Sequence, residues 1–375
     1  PSLWALHDPT MAAIAEKSPE VRKRNASPAS RKDVAEPKAK AKSALGSANK
    51  NEPKKTSMLD VVEGFPPQLC ALALGSAGLS RAWLLGGPAS NVLPRLWCLV
   101  AGGFLSIYGM KAALRPKAFL GDAAQPATLA ALSAAPATMQ VLALRFKNED
   151  IIDLLTTQCA ILLCHLLLLF TATRFALLNV RKGLWPDPSW FPGLLLFGMT
   201  NVSASVVGPE WLKALTPFSF WLTIVIYIPL KLVVIYRLFV WKMRKTVTPN
   251  AAMATFMAPA SFFTVVHLSM GKPGGDLMGL LLFADSTISF LVTLVLLWVR
   301  RSLWATNFHP SYVAFTFPLA STATGALLAQ VHLPSVASPL LELYSKILLY
   351  VSTSVILAVQ LRFMYFLVEL RRKQK

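Results

Sequence analysis

Charge is what this 375-residue chain has least of. Charged residues make up 15% of it against 54% hydrophobic, and acids are the scarcer kind: 18 Asp+Glu face 37 Lys+Arg, for a formal net charge of +19. A nucleic-acid binder carries its positive charge on a charge-rich, water-soluble surface. Here there is too little charge to coat one, so nucleic acid is not an expected partner. Cysteine is also scarce. Cys70, Cys98, Cys159 and Cys164 all lie in apolar stretches without CxxC or Cys/His spacing, which fits small buried hydrophobes and argues against a disulfide framework or a metal site. The five histidines form no cluster, and no Walker-type loop, HExxH or GxSxG is present. The sequence therefore offers no sign of an enzyme and no need for a cofactor.

Long apolar runs are what it has in abundance. Mean hydropathy is +0.51, and Leu-rich stretches of about 18 to 25 residues recur, long enough to cross a ~30 Å hydrocarbon core. An all-α integral membrane protein follows. Residues 1–63 differ from the rest: they are rich in Ala, Lys, Ser and Pro, with 12 Lys/Arg and 8 Asp/Glu, and cannot bury enough surface to offset chain entropy. They are expected to be a disordered basic cytoplasmic tail without the apolar core of a signal peptide, translation starting at Met11. Residues 64–375 then hold ten spans, at 66–86, 93–114, 126–144, 152–178, 189–208, 216–240, 250–271, 276–299, 311–332 and 339–361.

Lys and Arg distribution tests that count, because short cytoplasmic loops retain positive charge. With the tail inside and ten spans, the inner loops and C-terminus hold 17 Lys/Arg and the outer side 7, Arg81 among them, leaving Lys231 within the sixth span. Both termini are thus expected in the cytoplasm, most simply at the plasma membrane.

Proline favours the odd spans. Pro136, Pro192, Pro259 and Pro318 are expected to kink the third, fifth, seventh and ninth, whereas the sixth, with Pro217 and Pro229, is the exception among even ones. Membrane helices keep prolines where a neighbour or a water-filled cavity satisfies the freed carbonyl. The odd spans are also rich in small residues, as in Leu72-Ala-Leu-Gly-Ser-Ala-Gly-Leu79 and Ala320-Ser-Thr-Ala-Thr-Gly-Ala326. Small residues allow close helix packing, and in alternate helices they also leave room for a central passage.

The stretch Asn307-Phe-His-Pro-Ser-Tyr-Val-Ala-Phe-Thr-Phe-Pro-Leu-Ala-Ser-Thr-Ala323 resembles the ninth-helix signature of the tellurite-resistance/C4-dicarboxylate transporter family. That family includes plant guard-cell slow anion channels and fungal malate and sulfite transporters. Gly78-Leu-Ser-Arg-Ala-Trp83, Trp190-Phe-Pro192 and Met257-Ala-Pro-Ala-Ser261 extend the resemblance across most of residues 65–365. It implies ten transmembrane helices as a quasi-fivefold ring of helical hairpins, odd helices lining a central pore, and a homotrimer with one pore per protomer. It also implies a pore gate at Phe317. The third span departs from the family: Gln125-Pro126 followed by Leu132, Ser133 and Ala134 stands where relatives have His-Pro and an aromatic cluster, which implies a wider constriction or a shifted alignment.

Read alone, Phe317 is a core aromatic; beside Pro318 and within the motif it reads as the gate. Phe197, Phe256 and Phe262 are either core or pore surface, and Ser203 and Thr316 are the hydroxyls expected to line the pore. Asp285, an acid inside the eighth span, is either a polar contact between helices or a coupling acid for protons. In the tail, Ser27 and Ser57 follow basic residues as a regulatory kinase would require, and the same basic segment suits membrane lipids. The expected function is an anion channel for small monovalent anions, chloride and nitrate; the alternative is a proton-linked dicarboxylate or sulfite transporter of the same fold.

Overall fold

A chain in hydrocarbon must satisfy its backbone N–H and C=O groups internally, and a helix does so within one segment. The computed structural model describes residues 58–88, 91–199, 201–239, 250–271, 275–299 and 308–373, and among them there are helices and no strands. The tail's Ser27 and Ser57 lie outside the described residues. After a short α1 (Met58–Glu63), the first span is α2 (Gln68–Gly86) and the second α3 (Val92–Leu114), followed by a seven-residue connector, α4 (Pro116–Asp122). The third span is α5 (Pro126–Leu132) with α6 (Ala134–Asn148), and the fourth is α7 (Leu154–Arg181). The fifth is α8 (Trp190–Met199) with α9 (Asn201–Val207), and the sixth α10 (Glu210–Phe239). The seventh joins a 3₁₀ stretch, Asn250–Phe256, to α11 (Ala258–Ser269); the eighth is α12 (Gly275–Val299). The ninth joins 3₁₀ residues Pro310–Phe315 to α13 (Thr316–His332), and α14 (Pro339–Lys373) is the tenth.

Among the described residues, nine of these stretches are long and apolar enough to cross a membrane. The seventh, Met253–Ser269, is shorter. At about 2.0 Å per 3₁₀ residue and 1.5 Å per α residue, its two pieces would rise roughly 32 Å laid end to end, close to one hydrocarbon thickness.

The prolines expected to kink the odd spans act differently. Pro136, Pro192 and Pro318 are each the third residue of α6, α8 and α13, and Pro259 is the second of α11. A first-turn residue has no intrahelical N–H bond to lose. These prolines therefore begin helical segments rather than bend continuous ones. The prolines within one continuous helix are Pro217 and Pro229, in α10 of the sixth span.

Burial separates the spans into two layers. In the first, third, fifth and ninth, 61% to 78% of the apolar window is buried within the protein; in the even spans the share is 28% to 39%. The odd spans also touch in sequence: α2 packs against α6 and α13, α13 against α11, α11 against α8, and α8 against α5. Because α5 and α6 belong to one span, this chain of contacts closes on itself. Each even helix then packs on the odd span before it, α3 on α2, α7 on α6, α10 on α8 and α9, α12 on α11, α14 on α13. Buried polar contacts join the layers, as where Gln360 Nε2 of α14 donates to Ser76 Oγ of α2 at 2.8 Å.

The inner layer is closely packed because its glycines let backbones approach. A Cβ at Gly75 would clash with the Thr316 side chain across the α2/α13 contact. Gly75→Val is expected to lower stability by about 1–3 kcal/mol, the usual cost of overpacking. Thermal unfolding in detergent checks this, and a variant melting with the wild type would contradict so close an approach.

Candidate functional site: two cavities and an aromatic partition

The inner layer encloses two cavities. The larger, of about 380 Å³, lies where the odd segments begin and is bordered by Gln68, Ala71, Ala127, Ala130, Ala131 and Ala134, with Pro192, Pro259 and Ser311. The third span gives it only alanines, which helps to make it wide. The smaller, of about 40 Å³, lies further along the same segments and is bordered by Gly78, Arg81, Ala137, Ser203, Phe262, Ser321 and Thr324. All five odd segments contribute to each cavity, the larger also reaching the short approaches at Asp187 and His309; no even helix contributes to either.

Leu74, Leu196 and Phe317 border both cavities. The partition between them is thus apolar, formed by one side chain each from α2, α8 and α13. Phe317, between Thr316 and Pro318, is placed there by the change from 3₁₀ to α-helix at Thr316. Its ring leans on Phe262, with centroids 5.3 Å apart and planes at 46°, and Gly78 of α2 faces it, a Cβ there lying at contact distance, 3.8 Å, from Phe317 Cδ2.

Polar groups are few, and several are held by hydrogen bonds. In the larger cavity, Asp187 Oδ1 accepts the Ser189 N–H at 2.8 Å, and His309 Nδ1 accepts the Ser311 N–H at 3.2 Å. Across the odd segments, Thr255 Oγ1 donates to the Pro188 carbonyl at 2.8 Å and Ser133 Oγ to the Pro192 carbonyl at 3.1 Å, which ties the third, fifth and seventh spans together at this end. In the smaller cavity, Ser321 Oγ lies 2.7 Å from Ser261 Oγ, and Thr324 Oγ1 donates to the Ala320 carbonyl at 2.8 Å. Arg81 Nη2 donates to Ser269 Oγ at 2.7 Å.

The family model described as SLAC1, voltage-dependent anion channel, matches residues 64–364. The chain belongs to this family. Comparison with individual curated proteins gives no match. As a SLAC1-family member with many apolar membrane-length helices, it is a multi-pass membrane protein of a channel and transporter class.

Against that family frame, the expected pore residues divide. Phe262 and Ser203 border the smaller cavity, and Phe317 stands between the two. Three others face elsewhere. Phe197 is buried in the apolar core. Phe256 sits edge-on to Phe191 with centroids 6.2 Å apart and has Lys231 Nζ 5.6 Å from its ring centre. Thr316 is fully buried, donating to the Val313 carbonyl at 2.8 Å and filling the space that Gly75 leaves. A helix shows only part of its circumference to a central cavity, and these three lie off that arc.

Asp285 is also away from both cavities. It pairs with Lys231 of the sixth span and accepts the Tyr227 hydroxyl at 2.7 Å; Lys231 Nζ donates in addition to Ser289 Oγ at 2.9 Å. The charges of Lys231 and Asp285 thus pair across the sixth and eighth spans, outside both cavities. Sequence reasoning missed Leu74 and Leu196, which carry no signal as ordinary leucines in apolar helices. It also missed Arg81, whose signal was a cation inside the first span.

Proposed function

We propose that the protein is an anion channel passing small monovalent anions, such as chloride and nitrate, through the centre of each protomer, with Phe317 as its gate. The observation that carries this reading is the pair of cavities bordered only by odd segments and their approaches and divided by Leu74, Leu196 and Phe317. A narrow apolar partition disfavours water and ions together. Turning the Phe317 ring aside would join the two cavities, with Ser203 offering a weak, neutral hydroxyl contact beyond it. Weak contacts suit rapid conduction better than tight-binding, stepwise transport.

The end where the odd segments begin is the cytoplasmic one in this reading, with ten spans and both termini inside. Basic groups collect there: Lys111 pairs with Asp122 at 2.7 Å, Arg115 lies 3.4 Å from Asp60, and Arg174 donates to the Ala123 carbonyl at 3.1 Å. Their positive field would raise anion concentration at the mouth. Assembly as a homotrimer, contacts of the tail with anionic lipids, and phosphorylation at Ser27 and Ser57 as a control on opening complete the proposal.

Proteoliposomes test it. Protein-dependent chloride and nitrate efflux that proceeds without proton movement is expected. Efflux of dicarboxylate or sulfite strictly tied to proton movement, with no chloride or nitrate flux, would replace this reading with the proton-linked transporter.

A further inference from the structure

Arg81 stands out as a cation inside the inner layer. It lies in α2, five residues before the end of that helix, and borders the smaller cavity just past Phe317. One of its five N–H donors is held by Ser269, the last residue of α11. No carboxylate borders this cavity, and among the described residues Arg81 takes part in no salt bridge. A guanidinium stays charged at every working pH, and its planar fork is suited to paired oxygen acceptors. Held by Ser269 beside a cavity bordered by apolar side chains and neutral hydroxyls, its remaining donors face no protein carboxylate there. The cavity, at about 40 Å³, exceeds the roughly 10–15 Å³ that a single water needs.

We infer that Arg81 forms an anion-binding station in the smaller cavity, which selects planar oxyanions such as nitrate over spherical halide, with Ser269 as its positioning residue. The inference rests on the anion-passage reading for its role in conduction, though the binding itself does not. An anion that has passed Phe317 leaves an apolar partition and meets a fixed positive charge, so the station would draw ions across and hold them briefly. The neighbouring hydroxyl of Ser203 would complete the shell of a small ion.

Two measurements separate the station from the channel reading. In the first, purified wild type, Arg81→Gln and Arg81→Lys are melted in detergent across a series of nitrate and chloride concentrations at constant ionic strength. Nitrate is expected to stabilise wild type at lower concentration than chloride does, and Arg81→Gln is expected to require about tenfold more of either anion, the loss of one charge-assisted contact. Arg81→Lys should keep anion stabilisation but lose the nitrate preference, because a point charge replaces the fork. In the second, current is recorded against anion concentration: half-saturation should rise in Arg81→Gln and, to a smaller extent, in Ser269→Ala. Equal anion stabilisation of wild type and Arg81→Gln would overturn the station, even with the channel intact. Absence of current in wild type with anion stabilisation lost only in Arg81→Gln would keep the station and remove the channel. Should Arg81→Gln fail to fold, the nitrate preference of Arg81→Lys decides: its persistence would overturn the proposal.

Discussion

Phe317→Ala is expected to raise anion current about tenfold or more, since removing only ~1.4 kcal/mol from the barrier already gives that factor. The partition it belongs to is apolar and just three side chains wide, and Phe317 supplies its only aromatic ring. Deleting the ring leaves Leu74 and Leu196, which come from two other segments. Recording in oocytes, with surface protein measured in parallel, gives the comparison. Phe317→Leu should fall between alanine and wild type, as it retains bulk without the flat ring. Phe197→Ala provides the contrast: Phe197 is an inner-layer phenylalanine that borders neither cavity, and its loss should bring no rise in current. Unchanged current for Phe317→Ala at normal surface level would contradict the gate.

Breaking the Lys231–Asp285 pair is expected to have the largest effect on stability. Asp285→Ala would leave the Lys231 ammonium in the membrane interior with only Ser289 to accept from it and would also strip the Tyr227 hydroxyl of its acceptor. Removal of one partner of a buried pair costs about 3–5 kcal/mol, whereas replacing both by apolar residues of similar volume is often neutral. The double variant Lys231→Met/Asp285→Leu should therefore recover most of what Asp285→Ala loses. Thermal unfolding of the three proteins makes the comparison, and a single variant as stable as wild type would show that the pair contributes nothing. Flux adds a second outcome. Because Asp285 lies outside both cavities, the conservative Asp285→Asn should leave the pH dependence of transport as it is in wild type; its abolition would restore Asp285 as a coupling acid.

The spans were legible in the sequence because membrane solvation dictates their length, and their ends fall within a few residues of the observed helices except for the longer sixth and tenth. The division into layers was legible too, through the small residues and prolines of the odd spans. What the prolines do is not legible: their sequence positions fall within apolar runs, but only the backbone shows that Pro136, Pro192, Pro259 and Pro318 each lie in the first turn of a helical segment. Individual pore-facing side chains were harder. In a soluble helix, apolar and polar faces differ; in a membrane, the side facing lipid and the side facing neighbours are both apolar, so periodicity does not tell Phe262 from Phe197. The positive-inside count places Arg81 on the outer side, because a cation near a helix end usually reaches for water. Contact with Ser269 keeps it within the inner layer instead.

Single-channel recording of purified protein in a planar bilayer under a chloride gradient tests the central claim most directly. Discrete current steps are expected that reverse close to the chloride equilibrium potential and shift with nitrate substitution. A silent bilayer with fully inserted protein, or steps reversing at the cation potential, would contradict it.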